Sequence, residues 1–257
     1  MSTVTSTITI TCPEGLVLAT DMRETTLYPP WMKKDPEIKD NVEKIYPFKN
    51  ETKVAVSCWG LGEIVEGTNK TDIIPFLEAF DKAKIKKGFT VDDVANELKS
   101  KLENITPKIE NCTGIHVAGY LDGKPKLRHV FHSQWHKGGE FTNEDCHKYY
   151  HLIDTGDRVA YRQEIEYPTL FNGDNFVANA LFNYAPQIQP WYYLSPSELT
   201  LDDCISLAKF VIDASIQRLD YFIDSRKFKK IDPKAVGGRD SIGIITSEEG
   251  FKWVIQK

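Results

Sequence analysis

Two oppositely charged residues end a buried strand near the start of the chain, and they are the first residues whose types and spacing suggest chemistry. Asp21 and Arg23 follow the almost entirely apolar segment 16–20. Side chains two positions apart on a strand point to the same side, so the pair faces one direction. Because a buried charge needs a partner, we expect the pair to interact with the hydroxyl groups of the preceding strand, which starts near Thr5.

A hairpin positions this pair. Residues 5–12 alternate, with threonines on one face and mostly apolar side chains on the other. Pro13 fixes φ and Gly15 accepts positive φ, so residues 13–15 are typical of a tight turn. The second strand, residues 16–20, is apolar enough to be buried on both faces.

Strands and helices are segregated along the rest of the chain. Strands are predicted at 44–48, 53–58, 113–120, 127–135, 240–246 and 251–256, and helices at 71–86, after Thr90, from about 174 to 186, and after Thr200. Residues 24–40 are predicted as a loop and 59–63 as a turn. This order predicts one α+β domain over residues 1–257, a four-layer αββα sandwich of two antiparallel sheets flanked by helix pairs.

Composition narrows the class of protein. The net charge of −5 argues against a nucleic-acid-binding protein, and no apolar run is long enough for a membrane span. The 5 cysteines are an odd number, widely spaced and without a CxxC motif, which favours reduced thiols in the cytoplasm over disulfides or zinc. The N-terminus lacks the pattern of a secretory signal.

Several motifs together resemble the proteasome β-subunit family of N-terminal-nucleophile (Ntn) hydrolases. The family opens with a threonine-rich strand, a turn, an apolar strand ending in acid-x-Arg, and a Lys-Ile segment. Here these correspond to residues 5–7, Gly15, residues 21–23 and residues 44–45. Residues 172–176, 200–218, 236–238 and 241–246 are similar to its later turns, fourth helix and last hairpin. The likeness spans the whole chain but covers about half of its residues.

The resemblance implies a nucleophile and its supporting charges. Thr5 would be the nucleophile after cleavage of the Val4–Thr5 bond, which makes residues 1–4 a short leader. Its free α-amino group, with a pKa of about 7.7–8.0, would be the general base. Lys44 would lie near the Thr5 hydroxyl, Asp21 would hold Lys44, and Arg23 would support Asp21.

Three positions depart from the family pattern. Val4 stands where a glycine usually precedes the nucleophile, and a β-branched residue disfavours strained backbone. Asn172 stands where the family has a serine that bonds the terminal amine. Cys58 occupies the usual position of the oxyanion glycine, so Gly60 is the expected oxyanion donor.

One carboxylate after the fourth helix remains ambiguous. Asp220 is the first choice for the family's aspartate, Asp224 is an alternative, and counting back from the Gly-Gly turn favours Asp232.

Three functions follow as hypotheses. The first is a threonine-type peptidase or amide hydrolase, without cofactor or metal, acting on a peptide or amide substrate. The second is a non-catalytic structural or assembly subunit that keeps its leader, and the third is a small-molecule amidase. The resemblance also implies a homo-oligomer, with a ring as one arrangement.

Other chemistry-bearing residues favour structural roles. His129, His132 and His136 suggest a metal cluster, but the first two point to opposite sides of a strand. The aromatic residues 191–193 are expected in the core or a subunit contact. A basic loop is expected to be solvated; it carries Lys227, Lys229, Lys230 and Lys234.

Overall fold

The computed structural model describes residues 2–27, 33, 35, 37–60, 62–66, 68–103, 112–133, 169–173, 176–181, 196–221 and 236–256. The strands are β1 Ser2–Val4, β2 Ser6–Cys12, β3 Gly15–Asp21, β4 Glu24–Leu27, β5 Glu37–Lys39, β6 Ile45–Pro47, β7 Ala55–Gly60, β8 Glu63–Glu66, β9 Asn69–Asp72, β10 Cys112–Leu121, β11 Lys124–Ser133, β12 Thr169–Gly173, β13 Asp240–Thr246 and β14 Gly250–Ile255. The helices are α1 Ile73–Lys84, α2 Val91–Glu103, α3 Phe176–Asn179 and α4 Leu201–Tyr221, with a 3₁₀ turn at Pro196–Glu198.

In the part of the chain that the structure describes, the strands form four antiparallel sheets. The largest has five strands in the order β12-β2-β3-β13-β14, and the next has four in the order β11-β10-β7-β6. A three-stranded sheet runs β1-β4-β5, and β8 pairs with β9. Within the described residues, only α1, α2 and α4 exceed a single helical turn.

The expected four-layer αββα sandwich of two sheets flanked by helix pairs is therefore wrong. Residues 24–40, predicted as a loop, contribute β4 and β5, and the region after the predicted turn at 59–63 contributes β8 and β9. These strands have three or four residues, too few for a period-two alternation to be recognised. They build two additional sheets that the pattern did not predict.

Local turn and cap signals gave correct predictions. The β2–β3 hairpin forms with Cys12 opposite Gly15, and both strands are buried along their whole length. The Thr90 hydroxyl accepts a hydrogen bond from the Asp93 amide at 3.3 Å, and Thr200 and Asp203 repeat this at 3.1 Å. These are the expected capping boxes at the starts of α2 and α4.

Among the described residues, three apolar clusters form the core. One packs α1 and α2 against the four-stranded sheet, and a second packs α4 against the five-stranded sheet. The third joins the two larger sheets through Leu18 and Ile245 on one side and Ile45 and Leu127 on the other.

Thr5 lies between two of the sheets. It is the single residue between β1, in the three-stranded sheet, and β2, in the five-stranded sheet. Asp21 ends β3, which is the strand next to β2. The fold therefore places a threonine and a carboxylate together where the chain passes from one sheet to the other.

Leu18→Ala tests the core between the two larger sheets. Leu18 is fully buried, so truncation should lower the free energy of unfolding by about 2–5 kcal/mol. Val254→Ala in the same sheet is the control: Val254 is 41% exposed, and its truncation should cost no more than about 0.5 kcal/mol. Urea denaturation measures both, and equal losses would contradict the assigned core.

Candidate active site

Thr5, Asp21 and Lys44 form a buried triangle of hydrogen bonds. The Thr5 hydroxyl donates to Asp21 Oδ1 at 2.7 Å, and Lys44 Nζ donates to Thr5 Oγ1 at 2.5 Å. Lys44 Nζ also lies 2.7 Å from Asp21 Oδ1. Thr5 is only 2% exposed and Asp21 is fully buried. The structure thus brings together three of the residues that the sequence singled out.

The backbone positions Lys44. It lies directly before β6, and its carbonyl oxygen accepts a hydrogen bond from the Cys58 amide of β7 at 2.8 Å. Its side chain also donates to the Arg23 carbonyl oxygen at 2.5 Å. Burial lowers the pKa of the Lys44 amine from its ordinary value, while the nearby charge of Asp21 opposes that shift.

Main-chain amides hold the Asp21 carboxylate. Ser6 N donates to Oδ1 at 2.9 Å, and Gly237 N donates to Oδ2 at 3.1 Å. The Arg23 amide adds a longer contact to Oδ2 at 3.3 Å. A charged carboxylate in the interior needs such donors, and Gly237 comes from the loop directly before β13, far along the chain.

Arg23 supports Asp21 through its main chain, while its guanidinium binds Asp40. Arg23 Nε lies 2.6 Å from Asp40 Oδ1, and a second guanidinium nitrogen lies 3.2 Å from Oδ2. The guanidinium also covers Gly237, because a Cβ there would lie 2.5 Å from it. Asp40 was not predicted as a partner of Arg23, because it lies in a segment that was predicted as a loop and belongs to no recognisable motif.

Asn172 does not join the Thr5 triangle. It lies in β12 opposite Thr7, and its Oδ1 accepts a hydrogen bond from His116 Nε2 at 2.7 Å. The expected turn before a helix at residues 172–173 is therefore wrong, because both residues continue a strand ladder. Among the described residues, the Asn172 side chain bonds to His116 and not to Thr5.

His116 is the centre of a buried polar network between the larger sheets. Its Nδ1 lies 3.0 Å from Thr9 Oγ1, so a neutral ring that carries its proton on Nε2 satisfies both contacts. Its ring packs edge-on against that of His129 at 5.3 Å, and His129 Nε2 accepts a hydrogen bond from Trp59 Nε1 at 3.0 Å. Burial lowers the pKa of His116 to about 4. Sequence reasoning missed His116 because a lone histidine in a strand carries no motif.

The expected oxyanion region lies beside the triangle. Gly60 ends β7 with φ of 85°, a conformation that favours glycine. The Cys58 amide is already bonded to the Lys44 carbonyl oxygen, and Gly60 itself pairs with Thr113 at the end of the β7–β10 ladder. Burial raises the pKa of the Cys58 thiol to about 12, which keeps it protonated.

A narrow cleft opens next to Thr5. It has about 310 Å³ of empty space including its mouth, of which the centre of a water molecule reaches about 20 Å³. The lining comprises Thr5, Glu24, Val42, Lys44, Cys58, Trp59, Gly60, Gly62 and Ile73.

Several predicted residues lie where the structure gives no side-chain description. Asp220 falls in the last turn of α4, but its side chain is not described. Asp224 and Asp232 lie outside the described residues, as do His136, residues 191–193 and the basic loop. In the part of the chain that is described, no group of three or more His, Cys, Asp or Glu side chains is arranged to hold a metal ion.

No protein-family model matches the chain, and no curated protein matches it significantly. No described helix is both long and apolar enough to cross a membrane.

The buried His116 should make the protein less stable in mild acid. In the unfolded chain His116 binds a proton below its ordinary pKa of about 6.5, whereas in the folded chain it remains neutral until the pH falls to about 4. Stability is therefore lost as pH falls from about 6.5 to 4, and about 2 kcal/mol of this loss falls between pH 7 and pH 5.

Urea denaturation of the wild type and His116→Asn at both pH values measures this contribution. The variant should lose about 2 kcal/mol less stability between pH 7 and pH 5 than the wild type. The comparison uses differences, so a lower stability of the variant at pH 7 does not affect it. The same loss in both proteins would contradict the role of His116, whose titratable neighbour, His129, is retained in each.

Proposed function

We propose that this chain is a threonine-type amide hydrolase of the proteasome β-subunit type, with Thr5 as the nucleophile after removal of residues 1–4. The observation that carries the proposal is the position of the Lys44 amine, buried and bonded to both the Thr5 hydroxyl and Asp21. The proposal rests on this geometry and not on the fold, since one fold supports many functions.

The proposed reaction begins at the freed N-terminus. The α-amine of Thr5, with a pKa of about 7.7–8.0, takes the hydroxyl proton. The oxygen then attacks the amide carbon, the C–N bond breaks, and the leaving amine receives the proton. Water hydrolyses the resulting ester and restores the hydroxyl. Lys44 stabilises negative charge on the Thr5 oxygen, and Asp21 holds Lys44 in place.

The ladder formed by the leader supports a peptide as substrate. In the continuous chain, β1 pairs antiparallel with β4, with Val4 opposite Thr25. Removal of residues 1–4 would expose the edge of β4 directly beside Thr5. An exposed strand edge binds extended peptides through main-chain hydrogen bonds.

A second candidate is a non-catalytic structural subunit that keeps its leader. Two observations favour it: β1 is paired with β4, and Thr5 is only 2% exposed. In a chain that keeps its leader, the nitrogen of Thr5 is an amide, which cannot act as a base. Both candidates share the proposed family's tendency to form homo-oligomers. A cytoplasmic location accords with the free thiols of Cys12, Cys58 and Cys204.

Intact-mass spectrometry of the purified protein decides between these candidates. We expect a mature chain that begins at Thr5, because the hydroxyl next to the Val4–Thr5 bond can attack it. Thr5→Ala lacks that hydroxyl and should keep residues 1–4. A wild-type mass that retains Val4 would refute the hydrolase and leave the structural subunit.

Activity of point variants tests the assigned roles. Thr5→Ala and Lys44→Met should each lower the turnover of a fluorogenic peptide amide by about 10³-fold or more, since each removes part of the reacting centre. Thr5→Ser keeps a hydroxyl and should retain turnover.

Thr7→Ala is the matched control. It removes a buried threonine on the same strand whose hydroxyl bonds to the Ala19 carbonyl oxygen, and turnover should stay close to that of the wild type. Wild-type turnover in folded Thr5→Ala or Lys44→Met, with folding checked by circular dichroism, would refute the roles.

A further inference from the structure

The main chain of Arg23 contacts both charges of the buried ion pair. Its amide donates to Asp21 Oδ2 at 3.3 Å, and its carbonyl oxygen accepts a hydrogen bond from Lys44 Nζ at 2.5 Å. β3 ends at Asp21 and β4 begins at Glu24, so Arg23 belongs to neither strand. Main-chain groups outside a strand ladder need another anchor if they are to hold a charged pair in one geometry.

The ladder between β4 and β5 brings such an anchor to Arg23. The last pair of this ladder is Glu24 with Lys39, so the next two positions that face each other are Arg23 and Asp40. Arg23 Nε lies 2.6 Å from Asp40 Oδ1, and Nη2 donates to Oδ2 at 3.2 Å. This two-point contact fixes the plane of the guanidinium as well as its position.

The same ion pair covers the loop that holds Asp21. A Cβ at Gly237 would lie 2.5 Å from Arg23 Nη1 and 2.6 Å from Cζ, so the guanidinium lies directly against this residue. A Cβ at Gly238 would lie 3.4 Å from Asp40 Oδ1. The Gly237 amide donates to Asp21 Oδ2 at 3.1 Å. The guanidinium, fixed by Asp40, therefore keeps the loop where its amide reaches the carboxylate.

The Asp40 carboxylate contributes through position and little through stability. Its side chain is 45% exposed and that of Arg23 is 21% exposed, and ion pairs this exposed add little to the free energy of unfolding. The guanidinium holds the pKa of the Asp40 carboxyl below its usual value, so the pair persists at neutral pH. Among the described residues, no hydrogen bond or ion pair joins Asp40 to a member of the Thr5 triangle.

We propose that Asp40 is a positioning residue for the candidate active site: it fixes the Arg23 guanidinium and, through it, the amide of Gly237. This inference rests on the proposed function, because positioning matters for catalysis only if Thr5 is the nucleophile. Without the charge of Asp40 the guanidinium is free to move, and the Asp21 carboxylate loses a main-chain donor. The buried amine is then less well placed to stabilise negative charge on the nucleophile.

Kinetics of Asp40→Asn on a fluorogenic peptide amide test the inference. The variant keeps the size of the side chain and removes its charge. Because Asp40 acts on the reacting centre and not on the substrate, kcat should fall about 10-fold while KM stays within about twofold of the wild type. Asp40→Glu restores the charge and should recover most of the wild-type kcat. An unchanged kcat in Asp40→Asn would refute the positioning role.

Asp92→Asn is the matched control. Asp92 makes a similar two-point contact with Arg128, at 2.7 Å to Nε and 3.1 Å to a second guanidinium nitrogen, and its side chain is 31% exposed. This pair joins α2 to β11, and neither residue lines the cleft beside Thr5. The variant changes the net charge by the same amount as Asp40→Asn, but it should keep the wild-type kcat.

The melting temperatures of both variants should stay within about 3 °C of the wild type, since exposed ion pairs contribute little to stability. Equal losses of turnover in Asp40→Asn and Asp92→Asn would refute the positioning role, because a change of net charge would then be the cause.

A double variant tests whether Asp40 acts through Arg23. Arg23→Met removes the guanidinium and keeps an unbranched apolar stem. In that background Asp40→Asn should lower kcat by no more than about twofold, because the partner of the carboxylate is already absent. A further 10-fold loss, about as large as in the wild-type background, would contradict the inference.

Hydrogen exchange of the Gly237 amide gives a readout that is independent of catalysis. The bond to Asp21 and the covering guanidinium protect this amide. In the full chain, NMR should show exchange at least about fivefold faster in Asp40→Asn than in the wild type. The amides of the β10–β11 ladder should keep their wild-type rates.

These outcomes distinguish the inference from the proposed function. A wild type that hydrolyses no peptide amide, together with faster Gly237 exchange in Asp40→Asn, refutes the hydrolase and leaves Asp40 as an anchor of the buried ion pair. An inactive wild type with unchanged Gly237 exchange refutes both. An active wild type whose Asp40→Asn variant has a lower kcat but unchanged Gly237 exchange refutes the inference alone, because Asp40 would then act by another route.

Discussion

The buried ion pair between Asp21 and Lys44 is the interaction on which the rest of this site depends. Two charges removed from water are costly unless each gains a partner and further hydrogen bonds. The fold supplies these from distant parts of the chain: main-chain amides of Ser6 and Gly237 bind Asp21, and the Arg23 carbonyl oxygen binds Lys44. The Thr5 hydroxyl also bonds to both Asp21 and Lys44. The need of these two buried charges for hydrogen-bond partners therefore fixes the position of the hydroxyl.

This constraint also explains why the site lies where sheets meet. Asp21 ends a strand of the five-stranded sheet, Lys44 precedes a strand of the four-stranded sheet, and Thr5 follows a strand of the three-stranded sheet. No single sheet carries all three side chains. The packed core between the larger sheets, with Leu18 and Leu127 buried in it, therefore holds the charges together, and the narrow cleft with Glu24 opens beside them.

Local patterns predicted much of the secondary structure and failed for particular reasons. The Pro-Glu-Gly turn and the capping boxes at Thr90 and Thr200 are short-range signals, and the structure confirms them. The short strands β4, β5, β8 and β9 have no recognisable period, and their sheets overturned the expected four-layer architecture. Asn172 was assigned to a turn by resemblance, but the structure places it in a strand, bonded to His116.

The sequence by itself determined the hairpin and the candidacy of Thr5 and Lys44, because these depend on chain neighbours and on motif order. The expected shared direction of Asp21 and Arg23 depended on a continuous strand, but β3 ends at Asp21 and the Arg23 guanidinium binds Asp40. Only the tertiary structure decided which groups touch. Lys44 meets Asp21 across 23 positions and the Gly237 amide meets it across 216, while Asp40 takes the Arg23 guanidinium and Gly62 makes room for Glu24. Such contacts depend on strand register and sheet packing, which a local pattern of residues does not encode.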